Sequence, residues 1–379
     1  MLTGGRLVTA DVDLEDAWVA VADEHVVAVG QGTAPSLPGA ERLDVRGRLV
    51  LPGLVDIHQH GGGGGSYADG AAAARTAAEF HRGRGTTTSM ASLVSASVDA
   101  LVDQVAELLP LVRSGLLAGI HLEGPWLNPR RRGAHAAAML GLPHGHDVER
   151  LLAAGAGHVR MVTLAPELPG ALAAVDQLTA AGVVAALGHT DATFEEAQEA
   201  LRRGARAGTH LFNAMRPLTH RDPGPVLALL ESGAAVELVA DGVHLHPRVV
   251  ADVVRWVGGD RAVLVTDAMA AAGMPDGSFR LGGRTVTVTD GVATGVEGQI
   301  AGSTIALVDA LRHAVTVAGV PLRAAVAAAT RTPARLLGLT GRGELAPRAI
   351  ADLVVMTPDL HVAAVSSRGR WTGTVPDDT

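Results

Sequence analysis

Two histidines in the segment LVLPGLVDIHQH stand two residues apart, His58 and His60. In an extended chain an i, i+2 pair projects to one face, so both imidazoles can enter a common site or sit together in a surface loop. Four further residues bear on the choice, because each closes an apolar run of strand character: Glu123 in LLAGIHLEG, His189 in VVAALGHT, His210 in AGTHLFNA and Asp267 in AVLVTDA. Taken singly, each reads equally well as a hydrogen-bonded strand-end histidine or a helix-capping carboxylate. Together they form the set that a divalent cation accepts where thiolate is missing, neutral imidazole and carboxylate. The chain has no cysteine, so disulfides and thiolate ligands are excluded.

These residues need elements that bring strand ends together. From Leu49 to about Gly338, brief apolar runs alternate with Ala-rich helical stretches, the pattern of repeated β-α units. The remaining candidate strands are TTTSMASL, VRMVTLAPE and AVELVADGVH, which with the five above make the eight that a closed barrel requires. Polar residues gather at the C-terminal ends of most of them, where barrel active sites lie. An open doubly wound sheet is the competing architecture, disfavoured because no G-x-G-x-x-G follows the first strand. Both chain ends are different in character. RLVTA, AWVAVAD and HVVAVG near the start, and ADLVVMTPDL, HVAAVSS and RWTGT near the finish, are short alternating strands. The expected fold is therefore α/β: a TIM-type (β/α)8 barrel over residues 51–345, with a small β-sandwich domain built from 1–50 and 346–379.

Composition removes other classes of function. With 379 residues, 47% of them hydrophobic, the chain can bury a large core. A formal charge of −8, a single tyrosine and four phenylalanines argue against nucleic acid or an anionic membrane as partner. No apolar run is long enough to span a bilayer and the N-terminus lacks a signal-peptide pattern, so the expected location is cytoplasmic. All 31 basic side chains are arginine, which excludes lysine Schiff bases and metal bridges through a modified lysine. The run Gly61 to Gly65 lacks the G-K-[ST] ending of a phosphate loop and reads as a flexible loop beside the histidines.

The local sequences VDIHQHGGGG, HLEGPWLNP, GAH, GHTDAT, THLFNAM, ADGVHL, VTDAM and AGS, in this order from about Leu49 to Leu339, resemble the N-acetylglucosamine-6-phosphate deacetylases of the amidohydrolase superfamily. The stretch GRGELAPRAIADLVVM is similar to amidohydrolases at large. Two substitutions depart from the pattern, Trp126 where phenylalanine is common and GHTDAT for GHSNAT, and neither falls on a candidate ligand. The resemblance implies that Glu123, His189 and His210 hold the principal cation, with His58 and His60 available for a second and Glu123 between them. It makes Asp267 the general base and acid, and His135 a stabiliser of the oxyanion. Asn213, Ala214, His135 and His244 would then bind the sugar phosphate, with Arg221 reaching across from the other subunit of a homodimer. Arginine suits phosphate because its planar fork bonds two oxygens at once.

Amide hydrolysis needs a strong nucleophile, a polarised carbonyl and a proton for the departing nitrogen. A bound divalent ion supplies the first two by lowering the pKa of a coordinated water toward about 7. The expected activity is hydrolysis of N-acetylglucosamine-6-phosphate to glucosamine-6-phosphate and acetate. Zinc is the first choice of metal, iron, manganese or cobalt the alternatives, with one or two ions per subunit. Two other readings stand beside it: the N-acetylgalactosamine-6-phosphate epimer as substrate, and an inactive barrel that only binds.

Overall fold

The computed structural model of the chain describes residues 1–36 and 38–372; residues 373–379 of the expected terminal domain lie outside them. Its centre is an eight-stranded parallel sheet made by the apolar runs. The strands are β1 (Leu54–Asp56), β2 (Thr86–Val94), β3 (Gly119–Glu123), β4 (Val159–Leu164), β5 (Val184–Leu187), β6 (Ala207–Gly208), β7 (Ala235–Val239) and β8 (Ala262–Val265). Each pairs with its sequence neighbour. The ring closes just past the strands, where the Asp267 amide donates to the His58 carbonyl at 2.9 Å and the His60 amide to the Ala268 carbonyl at 2.7 Å. A helix follows every strand, from Ala71–Arg82 after β1 to Leu307–Thr316 after β8. This is the α/β barrel anticipated from the eight runs.

Period-two alternation along the strands sorts the core into two layers. Leu93, Ile120, Leu122, Leu187, Leu238 and Leu264 join helix residues such as Leu101, Leu108 and Val250 in one large apolar cluster. The opposite face, carrying Val55, Met90, Met161, Val184, Ala235 and Val263, fills the barrel itself. Helices match this arrangement in their spacing. In Pro247–Val257 the buried residues are Val250, Val253, Val254 and Val257, an i, i+3, i+4, i+7 stripe. Among the described residues no helix is long and apolar enough to cross a membrane.

The two ends of the chain share a separate eight-stranded sheet. Leu353–Met356 runs antiparallel to Leu49–Pro52, which itself lies parallel to Leu2–Val8. The run Leu49 to His60, expected as one strand, therefore divides at Gly53 between the two sheets. Crowding requires glycine at the division: a Cβ at Gly53 would lie 2.1 Å from Thr87 Oγ1 and 2.9 Å from Asp352 Cβ. A second difference follows β8. Gly277–Leu281, Arg284–Thr289 and Val292–Gly295 form an antiparallel three-stranded meander that the strand count did not include. Thirdly, the glycine run is no loose loop. Gly61–Gly62 pairs with Gly65–Ser66 in a short hairpin, and Gly61, Gly63 and Gly64 donate to the carbonyls of Ala268, Ala272 and Ala270. A Cβ on Gly61 would lie 2.3 Å from the Gly65 carbonyl oxygen, so the tight pairing requires glycine there.

Candidate active site

Each expected ligand sits where a barrel strand ends, and three of them sit on strained backbone. His189, His210 and Asp267 have φ of 48°, 27° and 49°, the left-handed region that costs a residue with a Cβ and recurs at functional sites. The turn swings each side chain inward over the barrel mouth. All six ligand candidates are buried, and they form two groups whose ligand atoms lie within 4.8 Å of one another, His58 with His60 and Asp267, and Glu123 with His189 and His210.

Glu123 joins the groups. Its Oε1 lies 3.1 Å from His189 Nε2, 3.0 Å from His210 Nε2 and 3.5 Å from His58 Nε2, while its Oε2 lies 3.2 Å from His60 Nε2. Asp267 Oδ1 stands 3.2 Å from His60 Nε2 and 3.5 Å from His58 Nε2. The histidine nitrogens also face each other, His189 and His210 at 3.0 Å and His58 and His60 at 3.2 Å.

The opposite ring nitrogens decide what these contacts mean. His58 Nδ1 faces Glu237 Oε2 at 2.9 Å, His60 Nδ1 the Ser92 carbonyl at 3.1 Å and His189 Nδ1 the Arg131 carbonyl at 2.8 Å. Carboxylate and carbonyl oxygens only accept, so each Nδ1 carries a proton and each Nε2 is the nitrogen left to ligate a cation or take up a further proton. Ring nitrogens and carboxylate oxygens converging at this distance call for positive charge between them, as protons or as a cation. The site's electrostatics say the same. Burial pushes His58 and His60 down, yet carboxylates outweigh it: Glu237, Glu123 and Asp267 raise His58 well above the ordinary imidazole value, and Asp267 and Glu123 lift His60 to about 9. Burial likewise opposes ionisation of Glu123 and Asp267, but His135 and His58 hold Glu123 far below the carboxylate range, and His58 and His60 do the same for Asp267. A set that draws protons this strongly is one that divalent cations fit.

His135 has the opposite polarity. The Ser95 amide donates to its Nδ1 at 3.2 Å, so the ring carries its proton on Nε2, which points to Glu123 Oε2 at 3.2 Å. It is therefore a hydrogen-bond donor within the site. His244 forms one wall, its Nδ1 on Asp241 Oδ2 at 2.7 Å and its Nε2 3.8 Å from Asp267 Oδ2. Burial lowers its pKa, and the Asp241 carboxylate more than offsets that. Asn213 and Ala214 line the same cavity, of about 330 Å³, with Arg130 and Arg131 at its mouth. The unanticipated meander region contributes Leu281, Gly282, Gln299 and Ile300 to the lining. Arg221 is not brought in: it is exposed and outside this lining.

Three buried polar residues escaped sequence reasoning. Glu237 supports His58, Asp56 accepts from Thr266 Oγ1 at 2.6 Å and from the His58 amide at 3.2 Å, and His121 bridges Ser92 and Thr163 at 2.9 and 2.8 Å. A signal existed for His121, which is i, i+2 to Glu123 in HLEG. For Glu237 it was a lone carboxylate in the apolar run AVELV.

The sequence profile of the Amidohydrolase family matches residues 49–375. Similar curated proteins include the N-acetylglucosamine-6-phosphate deacetylase of Lysinibacillus sphaericus, 33% identical over 375 residues, 97% of this chain and 94% of that one. The N-acetylgalactosamine-6-phosphate deacetylase of Escherichia coli O157:H7 is 33% identical over 377 residues, 98% of each. Among solved structures, a mutant N-acetyl-D-glucosamine-6-phosphate deacetylase of Mycobacterium smegmatis in complex with N-acetyl-D-glucosamine-6-phosphate superposes with a TM-score of 0.95 at 46% identity, covering 98% of both chains.

Proposed function

This chain belongs to the amidohydrolase family, and we propose that it hydrolyses the acetamide of N-acetylglucosamine-6-phosphate, releasing acetate and glucosamine-6-phosphate. One observation carries the reading: a buried carboxylate, Glu123, shared between two groups of inward-turned histidines, with Asp267 beside them in one cavity. Relatives bearing this activity in their names align over nearly the whole chain.

In this reading Glu123, His189 and His210 would hold one divalent cation, and His58 and His60, with Asp267 beside them, would be available for a second. Zinc suits the nitrogen and oxygen donors best, with iron, manganese or cobalt as alternatives. Such a cation supplies Lewis acidity, making water a nucleophile at neutral pH and polarising the amide carbonyl. The chain does the rest. Asp267, kept ionised by the neighbouring imidazoles, accepts the proton of the attacking water and returns it to the nitrogen that leaves. His135 offers its Nε2 proton to the oxygen on which charge develops. The strand-end backbone fixes these groups before substrate arrives, so little reorganisation is needed.

Asn213, Ala214, His135 and His244 are the proposed sugar-phosphate contacts within the cavity. Arg221, exposed on the single chain, is proposed to complete the site of a second copy, which makes the working form a homodimer. A curated N-acetylgalactosamine-6-phosphate deacetylase at the same 33% identity keeps the epimer open as substrate, and comparison of kcat/KM for the two decides between them.

Purified protein supplied with zinc, iron, manganese or cobalt should release acetate from N-acetylglucosamine-6-phosphate. Asp267→Asn should lower kcat by roughly 10²- to 10⁴-fold, the usual worth of a positioned acid-base group. No acetate with any of these metals would defeat the proposal.

A further inference from the structure

Glu237 takes no part in the chemistry above, yet it is fully buried on β7 between the barrel-filling residues Ala235 and Val239. Its Oε2 accepts twice: from His58 Nδ1 at 2.9 Å and from the backbone amide of His210 at 3.1 Å. The two residues belong to different ligand groups. Its Oε1 has no hydrogen-bond partner among the described residues. A carboxylate so placed is costly unless positive charge lies nearby. Among the described residues its ion-pair contact is His58, and Glu123 and Asp267 likewise pair only with histidines.

Charge counting then separates the two groups. With the histidines neutral, three carboxylates face this space, and one divalent cation leaves it negative. A second takes the formal sum from −1 to +1, whereas without Glu237 the same step would run from 0 to +2, so Glu237 is the carboxylate that eases entry of the second cation while ligating nothing. Its contact also holds the His58 proton on Nδ1, which leaves Nε2 free to ligate, as carboxylates behind metal-binding histidines do. Resting on the cation placement proposed above, we infer that Glu237 is a positioning residue for the second cation: it selects the ligating tautomer of His58 and supplies the negative charge that makes filling the His58, His60, Asp267 group favourable.

The test is equilibrium dialysis against a zinc-buffered series, with bound zinc counted by mass spectrometry, and it needs no substrate. Wild-type protein should take up two zinc ions per chain. Glu237→Gln keeps the shape and one acceptor oxygen but removes the charge, and should weaken one of the two ions roughly 10- to 100-fold while the other keeps its affinity. His58→Ala should lose the same ion, which identifies the group that Glu237→Gln weakens. A merely structural role would weaken both ions in parallel and lower the Tm of the metal-free protein. Glu237→Asp, which keeps the charge but draws it back by one methylene, should show the same selective loss, and it carries the test if Glu237→Gln does not fold. Parallel weakening, unchanged affinities, or a wild-type chain that binds one zinc would overturn the inference. Two zinc ions with the selective loss, but no acetate release, would instead leave it standing and remove the deacetylase reading.

Discussion

Acid should loosen this protein through a histidine outside the ligand set. His81, on the helix Ala71–Arg82, is fully buried, and its Nε2 donates to the Gly61 carbonyl at 2.9 Å. It thereby ties the helix to the hairpin that leaves His60. Its Nδ1 is buried with no partner among the described residues, so a second proton there would be an unsolvated N–H. Burial is the main cause that lowers its pKa to about 4; Arg84 adds to the effect, while the Gly61 contact and Asp309 oppose it. Between the ordinary value of 6.5 and about 4, the unfolded chain holds a proton that the native chain refuses. The stabilisation is thus complete above about pH 6.5 and is lost as pH falls toward 4. At about 1.36 kcal/mol per pKa unit, the full loss is about 3 kcal/mol, of which about 2 kcal/mol has gone by pH 5. Urea unfolding with a chelator present, which removes metal linkage, should measure it. His81→Gln can still donate to Gly61 but does not titrate. Its stability deficit relative to wild type should therefore shrink by about 2 kcal/mol between about pH 7.5 and about pH 5. A deficit that stays constant over that range would show that His81 is not neutral in the native state, and the reasoning would fail.

The joint between the two sheets offers a second perturbation. Asp352, 2% exposed, accepts from Arg342 Nη1 at 2.8 Å and from the Arg368 amide at 2.8 Å, and Arg342 also donates to Thr88 on β2. Asp352→Asn removes the counter-ion of a guanidinium whose pKa burial already lowers, and should cost about 3–5 kcal/mol in urea unfolding; less than about 1 kcal/mol would mean that Arg342 is solvated in the native protein. For the proposed homodimer, Arg221→Ala and Asp267→Asn proteins, each nearly inactive, should regain up to about a quarter of wild-type activity when unfolded together and refolded as a mixture, since half of the dimers are hybrid and each hybrid has one intact site. Activity that stays at the level of the separate variants would place the Arg221 side chain outside the neighbouring site.

What the sequence disclosed, and what it withheld, follows from how much local information each feature needs. The barrel was legible because eight apolar runs alternate with helical stretches, and β1 to β8 fall inside those runs except that β2 continues one residue further, to Val94. His58, His60, Glu123, His189, His210 and Asp267 stood out because polar residues closing apolar strands violate the local pattern, and the structure gathers all six. Glu237 and Asp56 violate it too, but inside a strand a lone carboxylate gives no sign of its partner: His58 is 179 positions from Glu237, and Thr266 is 210 from Asp56. Only the closed ring supplies those pairings. The division at Gly53 was hidden for a similar reason, since the crowding comes from Thr87 and Asp352, residues of two other strands or their edges. The meander at 277–295 is a different case. RLGGRTVTVTDGVATG carries Gly-Gly and Asp-Gly turns around an alternating run, a local hairpin signal in full view. Such a signal gives the hairpin but not its place: nothing local says that these strands stand outside the ring of eight. Arg221 marks the other limit. No pattern within one chain can say whether an exposed arginine is idle or belongs to a neighbour's cavity, because the complementary surface lies on another molecule.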